Sequence, residues 1–131
     1  MKQRELVRTL LHKAAQDQAV LEALAPDPAF DKETVGFHAQ QAVEKLLKAW
    51  LAHLGVDYPR VHRLETLAEL LAAHGHSLPV GADELGRLSP FGTAFRYDDL
   101  PLGADIDAER MLRCVRAVRR FVEARIGAMA E

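Results

Sequence analysis

Residues 37–54 read FHAQQAVEKLLKAWLAHL, and this stretch decides the fold. No Gly, Pro, Ser or Asp interrupts it, so it should propagate as a strong helix. Ala39, Ala42, Val43, Leu46, Leu47, Trp50, Leu51 and Leu54 recur at three- and four-residue steps, which is one face of a helix. The other face carries Gln40, Gln41, Glu44, Lys45 and Lys48. Helical rotation places Gln41, Glu44, Lys45 and Lys48 in one narrow polar stripe, with His38 at its flank.

Outward from this stretch the chain keeps the helical period. A first helix is expected over about residues 3–24, stopped by Pro26-Asp27-Pro28. Asp17 and Gln18 lie close to its apolar face. They are either solvated margin residues or a buried polar contact fixing how the first helix meets its neighbours. The second helix covers about residues 31–54, with Asp31 and Glu33 suiting its N-terminal dipole and Gly55 as its stop. Gly36, in its first turns, either admits a close neighbouring backbone or only weakens the helix end.

Tyr58-Pro59 leads to a third helix over about 62–74, ended by Gly75. The fourth, about 82–97, should bend or split near Leu88–Ser89 because of Pro90. The fifth spans about 106–128, with Asp105 as its expected N-cap and Met111, Val115, Val118, Val122 and Ile126 inward. No period-two strand pattern, internal repeat or long linker appears. The expected fold is an all-α, antiparallel up-and-down bundle of four main helices plus a shorter fifth element, the third helix. It forms one domain over residues 1–131.

With 131 residues, the chain can bury one core without disulfides or metals. Only 6% of residues are aromatic, so that core must be built mainly of Leu, Ala and Val. A net charge of -2 argues against general nucleic-acid coating and leaves only a local basic face. Cys114 is the sole cysteine, so no internal disulfide forms; it reads as a buried, inert thiol. No signal peptide or membrane-length apolar run is present, which points to a cytoplasmic protein.

The run from His38 to Ala49, HAQQAVEKLLKA, resembles the second helix of the HEPN domain family. Val61-His62-Arg63-Leu64 resembles the family's His-x-Leu opening of the third helix, and Phe95-Arg96-Tyr97 the end of the fourth. The resemblance covers roughly residues 3–128. It implies a prokaryotic helical bundle, commonly a homodimer, that partners a small nucleotidyltransferase in a toxin–antitoxin-like pair. Catalytic members resemble one another in an Arg, four to six residues, then His. Here the last histidine is His76, and no earlier arginine has a His at that offset. The resemblance therefore favours a non-catalytic module associated with nucleotides or RNA. The alternative is a metal-independent ribonuclease toxin with a rearranged active site, using His38 or His62 with Arg96.

The residues suggest a candidate nucleotide or phosphate site at Gln41, Lys45, Lys48, His62, Arg96 and Tyr97. The lysines offer positive charge, and Gln41 both donates and accepts. Arg96 offers a planar fork for phosphate, Tyr97 a stacking ring, and His62 the start of a helix. The plainer alternative is structural: Glu44 and Lys48 form a helix-supporting pair, Lys45 is solvated, and Arg96 pairs with Asp98 or Glu44. Arg110, Arg113, Arg116, Arg119 and Arg120 give the fifth helix a basic side that could solvate the bundle, dock a protein or meet nucleic acid. No metal set and no Gly-rich phosphate loop is present, so no cofactor is expected. Trp50 is read as support for an exposed apolar face suited to dimerisation.

Overall fold

A computed structural model describes residues 2–92 and 106–127. These form α1 (Lys2–Leu24), α2 (Lys32–His53), α3 (Leu64–Ala73), α4 (Ala82–Leu88) and α5 (Ala108–Ile126), with a 3-10 turn at Ser89–Gly92. The architecture is an all-α bundle, and no strand occurs among the described residues.

The central element is α2. It packs on α1, α3, α5 and the 3-10 turn, so most of its circumference is covered. Its start is fixed by Asp31, whose Oδ1 accepts from the Thr34 amide at 3.3 Å and the Thr34 hydroxyl at 2.8 Å. Its end is a glycine motif. Gly55, with φ of 75°, donates to Ala52 O, and Val56 donates to Leu51 O, both at 3.0 Å. From the other end of the hairpin, Gln3 Nε2 donates to Ala52 O and to His53 O, capping α2 with the first turn of α1. The same glycine motif closes α3 at Gly75, and it delivers His76 onto Trp50, with ring centroids 5.1 Å apart.

Trp50 corrects the expectation of an exposed apolar face. It is 1% exposed and sits edge-on to Phe121 at 5.4 Å. Among the described residues the exposed large apolar side chains are Leu6, Val20, Phe30, Phe37 and Leu54 instead. Two helix starts also differ from expectation. The third helix begins at Leu64, because Arg63 is extended at φ -77°, ψ 115° after the Pro59 turn. The fifth begins at Ala108, and its N-cap is Asp107, which accepts from the Arg110 amide at 2.8 Å; Asp105, the expected cap, lies outside the described residues. Ile106 and Met111 flank that cap and are both buried, the positions of a hydrophobic staple.

Pro90 splits the fourth segment as its chemistry demands, with α4 giving way to the 3-10 turn at Ser89. That turn crosses α2 at close quarters. A Cβ on Gly36 would lie 2.3 Å from Phe91 Cδ1, and one on Gly92 would lie 2.4 Å from Gln40 Cδ. The close neighbour that Gly36 admits is thus an aromatic side chain, not a backbone. Gly36→Ala gains about 1 kcal/mol of helix propensity but overpacks a buried ring, which costs about 1–3 kcal/mol. We expect a lower urea midpoint for Gly36→Ala, partly restored by adding Phe91→Leu. An unchanged midpoint would remove the steric argument.

Candidate functional site

The polar face of α2 carries a hydrogen-bonded network centred on Glu44, which is only 5% exposed. Oε1 accepts from Gln40 Nε2 and from His62 Nδ1, each at 3.0 Å, and Oε2 accepts from Lys48 Nζ at 2.9 Å. A carboxylate only accepts, so His62 must hold its proton on Nδ1. Gln40 Nε2 also donates to His62 O at 2.7 Å, and Gln41 Nε2 donates to Gln40 Oε1 at 2.9 Å. Two acceptors on one side and a donor on the other fix the Gln40 amide orientation. Burial pushes the Glu44 carboxyl up, but hydrogen bonds from Gln40, Lys48 and His62 outweigh it and hold it below the usual range.

A second cluster joins α1 to α2. Asp17 accepts from Lys45 Nζ, and its Oδ1 lies 3.3 Å from His38 Nδ1. Gln18 is buried; its amide donates to Glu22 at 3.0 Å and its oxygen accepts from Arg119 at 3.0 Å. Asp17 and Gln18 are therefore contacts that set helix packing, not solvated margin residues.

Of the residues singled out in the sequence, Gln41, Lys48 and His62 meet around Gln40 and Glu44. Lys45 turns to the other side, toward Asp17. Lys48 Nζ also lies 5.7 Å from the centre of the Tyr58 ring, whose phenol burial pushes up. Arg96 and Tyr97 lie outside the described residues. Both lysines thus already have carboxylate partners within the fold.

Beyond His62 opens a cleft of about 490 Å³ lined by Arg60, His62, Arg63, Glu65, Ser89 and Pro90 among others. Ser89 is the residue that the sequence reading missed. Its hydroxyl accepts from the Leu64 amide at 2.8 Å and donates to Glu65 Oε1 at 2.5 Å, doing for α3 what Arg63 at the N-cap does not. Only the 3-10 turn brings it there, and no local pattern announces that.

The α5 arginines are largely neutralised. Arg110 pairs with Glu84 at 2.5 Å, Arg116 with Glu22 at 2.8 Å and Arg119 with Glu123 at 3.1 Å. Arg113 reaches Glu109 at 3.7 Å. Burial, reinforced by the charge of Glu84, pushes the Cys114 thiol up to about 12, which leaves it protonated and inert. No helix among the described residues is long and apolar enough to cross a membrane.

The family model for the HEPN domain matches residues 7–125. The chain belongs to the HEPN domain family. No curated protein and no solved structure matches it.

The depressed Glu44 carboxyl gives the network a pH signature. An unfolded carboxyl binds its proton more readily, so Glu44 stabilises the fold fully above about pH 4.5, and that contribution is lost as pH falls through the folded value. Glu44→Gln should cost about 1–3 kcal/mol at neutral pH, because Lys48 and His62 lose their charged acceptor. The gap between variant and wild type should narrow below about pH 4.5. Chemical denaturation across pH 3–7 reads it, and a constant gap would contradict the assignment.

Proposed function

We propose that this HEPN-family bundle is a non-catalytic binding and dimerisation module. It associates with a nucleotide or RNA and works beside a small nucleotidyltransferase in a toxin–antitoxin-like pair. The observation that carries the reading is the Glu44 network, which presents an ordered histidine, His62, at the mouth of a cleft with two arginines. The family membership supports a nucleotide or RNA as ligand. The missing Arg…His spacing supports binding without cleavage.

Within this reading His62 and Lys48 belong to the ligand-facing region, and Gln41 supports them through Gln40. Arg96 and Tyr97 remain proposed contacts from the segment that follows the 3-10 turn. Lys45 remains a proposed contact, one for which a ligand would compete with Asp17. The exposed Phe30 and Phe37 support a self-association surface.

One observation favours the ribonuclease reading as the second choice. Glu44 holds the half-exposed His62 by Nδ1 and leaves Nε2 uncommitted, which is how a carboxylate orients an imidazole for proton transfer. Purified protein incubated with structured RNA separates the two. The expected result is intact RNA and a rise in melting temperature with nucleotide or RNA that His62→Ala abolishes. Cleavage products lost in both His62→Ala and Arg96→Ala would reverse the choice.

A further inference from the structure

The loop from Pro59 to Leu64 is held at several points. Val61 donates to Pro59 O at 2.9 Å, a tight three-residue turn with Arg60 at its tip. Val61 packs partly buried against the core. Gln40 holds His62 O, and Ser89 holds the Leu64 amide. The backbone is fixed, yet the side chains it displays keep their charge available. Arg60 is exposed and has no carboxylate in salt-bridge range among the described residues. Arg63 is 63% exposed on its side chain and reaches Glu65 only at 3.8 Å. His62 is 55% exposed on its side chain, with Nδ1 committed and Nε2 not.

Several charges on the helix faces are placed differently. Lys45, Lys48, Arg110, Arg116 and Arg119 each touch a carboxylate at 3.1 Å or closer. A phosphoryl group drawn to those residues would have to displace an internal partner. At the cleft only the long Arg63–Glu65 contact, at 3.8 Å, would have to yield. The opposing charge there is Glu65, and Ser89 and Arg63 already engage its two oxygens.

We infer that the cleft between residues 60–65 and 86–90 is a phosphoryl-binding subsite, with Arg60 and Arg63 as its cationic clamp and His62 Nε2 as its third contact. Guanidinium forks match phosphate oxygens, and a pinned loop lowers the entropic cost of assembling them. His62 Nε2 donates to the phosphate when the ring is charged, and accepts from a neighbouring hydroxyl when it is neutral. The ligand class is a phosphate ester, either a free nucleotide or the phosphates of an RNA strand. The inference rests on the proposed function and relocates its charge contact from the α2 lysines to this cleft.

The probes are inorganic pyrophosphate, ATP, and a ten-nucleotide RNA with and without a 5′-phosphate. Pyrophosphate titrated into isotope-labelled protein should shift amide resonances of residues 60–66 and 86–89. Shifts confined to α5 or to the Lys45 side would overturn the subsite. Arg60→Gln with Arg63→Gln should retain the wild-type melting temperature and weaken the tightest probe at least tenfold, while Arg120→Gln on α5 leaves it unchanged. For RNA, losing two phosphate contacts should reduce the slope of log affinity against log salt by about 1.4. A preference for ATP or for the 5′-phosphate identifies a terminal phosphate, and equal affinity for both RNAs identifies the backbone; either supports the clamp. Wild-type binding that survives the double substitution sinks the subsite and spares the binding function. No binding of any probe by wild type sinks both.

Discussion

A carboxylate buried in the middle of the central helix is the constraint on which the rest of this structure depends. Removing a charge from water costs several kcal/mol unless good hydrogen bonds replace the lost hydration. Glu44 therefore needs donors, and it draws them from three directions: along its own helix from Gln40 and Lys48, and across the α2–α3 connection from His62. Gln40, recruited for this purpose, then holds the His62 carbonyl. Once Gln40 is held, the backbone crossing over it has no room for a side chain, and Gly92 is the residue there. One desolvated group thus sets a loop, a turn and the entry into α3. By contrast, the exposed ion pairs of α5 are each worth about 0.2–1 kcal/mol and decide little of the fold.

Much of the scaffold was legible in the chain. The period of residues 37–54, the glycine stops at Gly55 and Gly75 and the break at Pro90 are local signals, and the structure obeys them. What local signals could not give was which polar residues lie inside. Helical rotation puts Glu44 in the polar stripe with Lys45 and Lys48, and a helix with neighbours on only one side would leave all three in water. Here α3 and the 3-10 turn cover the flank holding Gln40 and Glu44, while the Lys45 side meets Asp17 of α1. Three residues of one stripe therefore have three different environments. Asp105 and Asp107 show the same limit on a smaller scale. Both are good capping residues, and the burial of Ile106 between them accompanies a cap at Asp107.

The candidate site was legible in residue type and only partly in position. His62 was identifiable as a functional candidate; its acceptor, Glu44, looked like half of a surface pair. The two are 18 positions apart and meet only because the connection after α2 folds back along it. Ser89 was invisible for the same reason, since its hydroxyl acts on a helix that begins 25 residues earlier. Arg60 and Arg63 entered the sequence reading only as arginines with no His at the catalytic spacing, because isolated arginines in a short loop carry no binding pattern. Their significance is relational: it lies in what the other cations of the bundle are already doing.

That distinction separates charge that builds the bundle from charge that remains for a ligand. Several cations on helix faces find carboxylates on the same or the next helix, as Lys48, Arg110 and Arg116 do. Their fields are largely cancelled before any ligand arrives. In the connection that folds back along α2, Arg60 and Arg63 have no carboxylate closer than 3.8 Å among the described residues. If the backbone there is flexible, ordering it opposes binding; if it is pinned, the charge is available at lower cost. The Pro59–Leu64 loop is of the second kind, and it is pinned by the same Gln40 that serves Glu44. The buried carboxylate that organises the fold is thereby also what keeps His62 and its flanking arginines in register at the surface.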